Sequence, residues 1–158
     1  MSIIYLDQSS KDFTGYITKE VIGIMYVFKD EFRTGIESID VEHQKLFEIA
    51  DKAYETLMDE FIPDKYDYIV EILSELAEYA ATHFEHEEAY MMSIQYKKLF
   101  SHKTEHADFI EKISGYDLSE VDEKQKDVIL ELLDFLNDWL IHHILENDKL
   151  IGWESTYI

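Results

Sequence analysis

The residues best suited to chemistry lie between His83 and His106, in the segment HFEHEEAYMMSIQYKKLFSHKTEH. His83 and Glu87 are four residues apart, and so are His102 and His106. Residues four apart in a helix are about one turn apart and project from the same face. A break near residues 93–96 would fold the chain back, so that two facing helices direct three imidazoles and a carboxylate to one place. This spacing predicts a metal site.

Four amphipathic helices are predicted to position these side chains, because apolar residues recur at three- and four-residue spacing in four segments. Asp40 is the expected N-cap of the first helix, Gly115 the C-terminal cap of the third, and Gly152 the end of the fourth. The helices are expected over about residues 40–62, 64–92, 97–114 and 119–151. Short connections between long helices favour antiparallel neighbours. The predicted fold class is all-α, an up-down-up-down antiparallel four-helix bundle with an N-terminal extension or arm.

Each predicted helix carries a histidine or carboxylate where its apolar stripe calls for a core residue. The candidate ligands are His43, His83, Glu87, His102, His106, His143 and Asp148. A single histidine on such a stripe is more often a hydrogen-bonded core residue, but that explanation would have to hold independently on four helices. A buried carboxylate without a partner is costly, so a cation is expected. Imidazole and carboxylate suit iron, and also zinc, copper or nickel. Seven ligands exceed the needs of one tetrahedral ion, which favours two ions bridged by the carboxylates.

The spacing between His143 and Asp148 does not fit a regular helix. Five residues correspond to about 500° of rotation, which puts Asp148 about 140° away from His143 around the helix axis. The two side chains can converge only if Asp148 reaches around the helix or the helix loosens near its end. We expect Gly152 to allow such loosening. The remaining histidines, His86 and His142, lie off the inward stripes and are expected to be solvated or to support the ligands.

The composition excludes several classes of function. The formal charge of −21 disfavours binding to nucleic acid and docking on anionic membranes. The absence of cysteine excludes disulfides, cysteine catalysis and thiolate-bound clusters. The longest apolar run, Val21–Phe28, is far too short to span a bilayer, and no secretory signal is visible. The expected location is the cytoplasm. Acidic residues such as Glu85 and Glu88 are expected to form a solvated face.

Four segments resemble the hemerythrin family in its bacterial single-domain form. They are IDVEH ending at His43, HFEHEEAYM from His83, HKTEH from His102, and WLIHHILEND ending at Asp148. The resemblance spans about residues 28–153, so residues 1–27 are expected to be an extension of unknown role and residues 154–158 a tail. Members of the family usually carry a tryptophan near the start of this region, where the chain has Phe28. Members also often begin close to the position of Met25, so the resemblance says nothing about the role of residues 1–24.

This resemblance implies two iron ions joined by a bridging oxo or hydroxo group. One iron, with a full set of ligands, would be held by His102, His106 and His143. The other would keep one position open for dioxygen and would be held by His43 and His83. The bridging carboxylates would be Glu87 and Asp148. The resemblance also implies an apolar dioxygen pocket lined by Leu46, Phe84, Trp139, Leu140 and Ile144.

The implied function is reversible dioxygen binding for storage, delivery or sensing, rather than catalysis. The alternative is an enzyme that reduces peroxide or nitric oxide with an external electron donor. No residue in the sequence identifies a docking site for such a donor, and an electron-transfer or signalling partner stays unidentified. A ferritin-like oxidase is rejected because no histidine follows a glutamate by three residues. A zinc protease is rejected because Tyr90 stands where His-Glu-x-x-His requires histidine. A purely structural bundle would be stable without metal.

Overall fold

The structure, a computed structural model, describes residues 26–155, and every regular element in this part of the chain is helical. A short 3-10 helix, Asp30–Phe32, precedes the long helices. The elements that follow are α1 (Glu37–Met58), α2 (Tyr66–Ser93), α3 (Leu99–Ser114), α4 (Leu118–Glu123), α5 (Gln125–His142), a π-helical segment (His143–Asp148) and α6 (Lys149–Ser155). No strand occurs within the described residues, which confirms the predicted all-α class.

The main apolar core lies between the four long helices, α1, α2, α3 and α5, and a second, smaller cluster is formed by Met91, Tyr96 and Ile151. Helix α1 packs against α2 and α5, and α2 also packs against α3. Burying the apolar stripes of amphipathic helices against one another is the main source of stability in such a bundle. The largest fully buried side chains are Phe47, Phe109, Ile39, Leu46, Ile49, Ile69, Ile72, Leu76, Met91, Ile129, Leu132 and Leu136. No helix among residues 26–155 is both long enough and apolar enough to cross a membrane.

The start of α1 differs from the prediction that Asp40 caps it. The helix begins at Glu37, and Asp40 lies within its first turn. The buried Asp40 carboxylate instead accepts hydrogen bonds from the preceding turn: from Thr34 N at 2.7 Å, Thr34 Oγ1 at 2.8 Å and Gly35 N at 3.2 Å. Gly35 has a positive φ of 84°, which favours glycine. Asp40 therefore fastens the chain that leads into the bundle.

The predicted fourth helix is divided in the structure. Helix α4 begins after Asp117, whose side chain accepts a hydrogen bond from Ser119 N at 2.8 Å, and Lys124 separates α4 from α5 with a φ of −129°. Gly115 caps α3, as predicted. The prediction that Gly152 ends the fourth helix is wrong, because Gly152 lies inside α6. A Cβ atom at Gly152 would lie 1.9 Å from the carbonyl oxygen of Thr34, so glycine is needed for this close approach.

The lead-in to α1 packs along the bundle. The buried Tyr26 donates a hydrogen bond from its hydroxyl to Leu133 O at 2.9 Å. Phe32 contacts the core residue Phe47 with ring centroids 4.8 Å apart. The predicted N-terminal extension or arm, residues 1–27, lies almost entirely outside the described residues. Within residues 26–29 the chain forms neither helix nor strand.

Candidate metal centre

All seven candidate ligands converge where four segments meet. His43 lies in the first half of α1, and His83 and Glu87 lie in the last turns of α2. His102 and His106 lie in the first half of α3, and His143 and Asp148 are the two ends of the π-helical segment. Each of the seven residues is at most 3% exposed. The helices therefore bring together, in a buried place, side chains that span more than 100 residues of sequence.

Two overlapping groups of side chains have the spacing that a metal ion requires. The first group, termed the three-histidine group, consists of Glu87, His102, His106 and His143. The second group, termed the two-histidine group, consists of His43, His83 and Glu87. In each group the candidate ligand atoms lie within 4.8 Å of one another. Glu87 belongs to both groups.

The two carboxylates lie between the groups, with one oxygen facing each. Glu87 directs Oε1 toward His43 Nε2, at 4.0 Å, and Oε2 toward His106 Nε2, at 3.2 Å. Asp148 directs Oδ2 toward His43 Nε2, also at 3.2 Å, and Oδ1 toward His102 Nε2, at 2.8 Å. His143 Nε2 lies 3.1 Å from the same Oδ1 atom. Each carboxylate therefore presents one oxygen to either group of imidazoles.

The π-helical segment explains how Asp148 reaches the cluster. A π-helix has wider turns than an α-helix and pairs residues five apart, so His143 and Asp148 can share a face. The prediction that the helix loosens here is confirmed. The reason given for it is wrong, because Gly152 lies beyond the segment and serves a contact with Thr34. Single π-helical turns within α-helices are frequent at functional sites.

Polar atoms at the centre of the cluster are buried without hydrogen-bond partners. In the part of the chain that the structure describes, these atoms are His43 Nδ1 and Nε2, His83 Nε2, both oxygens of Glu87, and Asp148 Oδ2. A buried polar atom left unpaired costs about 1–3 kcal/mol, and more when it is charged. Within the cluster, His102 Nε2 is hydrogen-bonded to Asp148 Oδ1 at 2.8 Å and His106 Nε2 to His143 Nε2 at 3.2 Å, but the atoms named above stay unpaired. Their chemistry and arrangement fit the coordination of cations.

The electrostatics of the cluster favour positive charge at its centre. Burial raises the pKa of Glu87, and so does the neighbouring carboxylate of Asp148. The imidazoles of His102 and His106 outweigh both effects and lower this pKa to about 2. Burial lowers the pKa of His102, but the two carboxylates raise it to about 9. Burial also raises the pKa of Asp148, yet its imidazole neighbours, His143 foremost, hold it well below the usual range. Both carboxylates are therefore ionised at neutral pH.

Three glutamates outside the cluster fix the orientation of the imidazoles. Glu42 Oε2 lies 2.9 Å from His83 Nδ1, and Glu88 Oε1 lies 3.1 Å from His106 Nδ1. Glu105 Oε2 lies 2.7 Å from His143 Nδ1. An ionised carboxylate can only accept, so each imidazole donates from Nδ1, which leaves Nε2 as the nitrogen that faces the cluster. Such partners set the tautomer of a ligating histidine and raise its basicity.

These supporting glutamates were not predicted from the sequence, and the assignment of Glu88 to a solvated face is wrong. A usable signal nevertheless exists: Glu42, Glu88 and Glu105 are sequence neighbours of candidate ligands. Adjacent residues in a helix are rotated by about 100°, so a neighbour of an inward-facing ligand points toward the next helix. There it meets a ligand of another helix. The predictions for His86 and His142 are confirmed, because both are exposed, with Glu42 and Glu146 as their respective partners.

Aromatic and aliphatic side chains cover the cluster. Phe84 stacks on His106 with ring centroids 3.9 Å apart and an interplanar angle of 7°. Trp139 stacks on His143 at 4.1 Å and 16°. Of the five residues expected to line an apolar pocket, only Trp139 is partly exposed. The fully buried ones are Leu46, Phe84, Leu140 and Ile144.

The family comparison agrees with the arrangement of these side chains. Residues 34–152 match the family model "Hemerythrin HHE cation binding domain", and this range contains all seven candidate ligands. The chain belongs to the hemerythrin family. A bacteriohemerythrin of Clostridium acetobutylicum is 54% identical over 125 residues, covering 79% of this chain and 97% of that relative.

Members of the hemerythrin family with lower identity are similar over about the same share of the chain. A bacteriohemerythrin of Pseudomonas aeruginosa is 30% identical over 122 residues, covering 77% of this chain and 76% of the relative. Myohemerythrin-1 of Phascolopsis gouldii is 27% identical over 123 residues, covering 78% and 88% respectively. The hemerythrin model begins after Phe28, so it does not bear on the phenylalanine that stands where the family usually has tryptophan.

Proposed function

We propose that this chain reversibly binds dioxygen at a non-heme di-iron centre. The observation that carries the proposal is the arrangement of Glu87 and Asp148, each with one oxygen facing either group of imidazoles. Membership of the hemerythrin family supports the choice of iron over zinc, copper or nickel, all of which imidazole and carboxylate also suit. The bound iron pair would supply reversible electron exchange with dioxygen.

The division of the ligands follows from the two groups. One iron would be held by His102, His106 and His143, and the other by His43 and His83. Glu87 and Asp148 would bridge both, together with an oxo or hydroxo group. The iron of the two-histidine group would have fewer protein ligands and would therefore keep the position open to dioxygen. Glu42 would hold His83 in the tautomer that leaves Nε2 free to bind this iron.

The covering side chains would exclude water from the open position. Leu46, Leu140 and Ile144 are each at most 2% exposed and carry no polar side-chain atom. Phe84 and Trp139 complete the proposed dioxygen pocket. A dry surrounding disfavours charge separation, which opposes the loss of superoxide that would leave oxidised iron behind. This apolar lining favours carriage over turnover, and so the chain would act as a carrier or sensor rather than as an enzyme.

The decisive experiment is an anaerobic titration of the full chain with ferrous iron, followed by air. We expect uptake of two irons per chain and a visible absorption band that appears with air and disappears under vacuum. Rapid conversion to a stable oxidised spectrum, without a reversible band, would favour the enzyme that reduces peroxide or nitric oxide. Failure to take up iron would leave the seven residues with a structural role only.

The architecture of the remaining chain is part of the proposal. The four long helices would run up-down-up-down, since short connections join successive elements. Residues 28–153 would form the di-iron bundle, residues 1–27 an extension of unknown role, and residues 154–158 a tail. Dioxygen would be the ligand, in the cytoplasm, without binding to nucleic acid or membrane. An electron-transfer or signalling partner would be a separate molecule.

A further inference from the structure

Glu42 connects the candidate metal centre to the surface. Its carboxylate has two hydrogen-bond partners, both on α2: Oε2 lies 2.9 Å from His83 Nδ1, and Oε1 lies 2.6 Å from His86 Nδ1. The side chain of His83 is 1% exposed, whereas that of His86 is 59% exposed. Glu42 itself lies on α1, next to His43. The three side chains thus form a hydrogen-bonded chain from solvent to a member of the two-histidine group.

Both imidazoles donate to Glu42. The Nδ1 atom of each imidazole lies within hydrogen-bond distance of a different carboxylate oxygen, 2.9 Å for His83 and 2.6 Å for His86, and a carboxylate oxygen accepts. His86 therefore occupies one oxygen of Glu42 and leaves the other to His83. A glutamate has several rotatable bonds and loses rotamer freedom when it is fixed. Fixing it at both oxygens restricts the position of the oxygen that orients His83.

The other supporting glutamates are held in a different way. Glu88 Oε2 lies 2.7 Å from Lys103 Nζ, and Glu105 Oε2 accepts from Asn147 Nδ2 at 2.7 Å. Both of these glutamates serve histidines of the three-histidine group. Among the residues that the structure describes, only the support of His83 is completed by an exposed imidazole. Through Glu42, His86 is therefore connected to the group that contains fewer candidate ligands.

We propose that His86 is a positioning residue for the metal position formed by His43 and His83. It acts through Glu42, by holding the carboxylate in the orientation that directs His83 Nε2 at the metal. The inference rests on the proposed function, since it concerns how firmly one of two irons is held. It assigns a role to a histidine that the sequence pattern places off the ligand stripe.

The test compares variants of the full chain loaded with ferrous iron under anaerobic conditions. His86→Ala removes the donor, whereas His86→Asn keeps an amide N–H close to the place of Nδ1. We expect both variants to bind two irons, but His86→Ala to release one of them to the chelator ferrozine about three- to tenfold faster than wild type. This expected increase in release rate is at or below the lower end of the effect usually seen when the direct hydrogen-bond partner of a metal ligand is removed. The reason is that His86 contacts that partner, Glu42, rather than the ligand itself. His86→Asn should restore most of the wild-type rate.

His142→Ala is the matched control. His142 is also an exposed histidine next to a candidate ligand, its side chain is 56% exposed, and its Nδ1 lies 3.2 Å from the carboxylate of Glu146. Glu146 supports no candidate ligand in the structure, so the release rates of His142→Ala should match those of wild type. Thermal unfolding of each metal-free variant separates a positioning effect from general destabilisation.

The outcomes distinguish this inference from the function on which it depends. Equal release from His86→Ala and His142→Ala, with two irons in each, would overturn the role of His86 alone. Equally fast release from His86→Asn and His86→Ala would also overturn it, because the restored N–H would have no effect. A wild-type chain that does not hold two irons would overturn the proposed function and, with it, this inference.

Discussion

The three-histidine and two-histidine groups share Glu87 but differ in the number of imidazoles that they contain. The first draws on α3 and the π-helical segment, and each of His106 and His143 is backed by its own glutamate. The second takes one imidazole from α1 and one from α2. Of these two imidazoles, His83 is the one that a glutamate, Glu42, supports in the structure. Seven side chains on one scaffold can therefore give two neighbouring metal positions of unequal ligand number. The inequality would leave one position free for an external molecule.

Glu87→Ala tests the shared side of this comparison and should have the largest effect. Loss of this carboxylate removes a candidate ligand that both groups share, so we expect less than about one iron per chain after loading and gel filtration. Iron content is measured by a colorimetric assay. The control is Glu85→Ala, an exposed neighbour on the same helix, which should keep wild-type iron content. Full occupancy in Glu87→Ala would show that the two groups do not share this ligand.

His83→Ala and His106→Ala test whether the two-histidine and three-histidine groups retain iron unequally. His83→Ala leaves the two-histidine group with a single imidazole, so the content should fall to about one iron per chain. His106→Ala leaves His102 and His143 in the other group and should lower iron retention less. Iron per chain after dialysis against a chelator measures both. Equal losses from the two variants would contradict the inequality of the groups.

Glu105→Gln sharpens the comparison within the three-histidine group. The amide oxygen can still accept from His143 Nδ1, but the negative charge that raises the basicity of the imidazole is lost. We expect about tenfold faster release of iron to a chelator, the lower end of the effects seen for such partners. Asp108→Asn, an exposed position on the same helix, is the control. If both variants release iron at the same rate, Glu105 does not support the site.

Lys103→Ala should have the smallest effect. Its ammonium lies 2.7 Å from Glu88 Oε2, but the lysine side chain is 46% exposed, and exposed ion pairs contribute about 0–1 kcal/mol. We expect iron release within about twofold of wild type and a free energy of unfolding in urea lowered by less than about 1 kcal/mol. A larger effect on release than that of His86→Ala would reverse the proposed ranking of the two supports.

The positions of the five candidate histidines and Glu87 were predictable because they follow helical periodicity, whereas Asp148 lies five residues after His143 and reaches the cluster only through the π-helical segment. Each histidine replaces an apolar residue on a stripe, and the structure buries all of them. Whether they bind iron is still a prediction. The supporting glutamates were not found, because a hydrogen bond between α1 and α2, such as Glu42 to His83, leaves no periodic pattern in either helix.

The ends of the helices were less predictable than their inward faces. Asp40 has the residue type of a cap, but its partners Thr34 and Gly35 belong to a turn whose path only the packed structure fixes. Gly152 resembles a helix stop, yet its role is set by Thr34, more than 100 residues away in sequence. At Gly152 a tertiary contact overrides the local preference, whereas the Asp40 carboxylate binds a turn five to six residues earlier in the chain.

The π-helical segment has a consequence for protein design. His143 and Asp148 cooperate across four intervening residues, whereas an ideal α-helix presents one face at separations of three or four. A copy of these residues on an idealised bundle would therefore turn the aspartate away from the site. A design would have to include the π-helical turn, or place the carboxylate one residue closer to the histidine. In this segment the π-helical backbone is as necessary for the candidate site as the identities of His143 and Asp148.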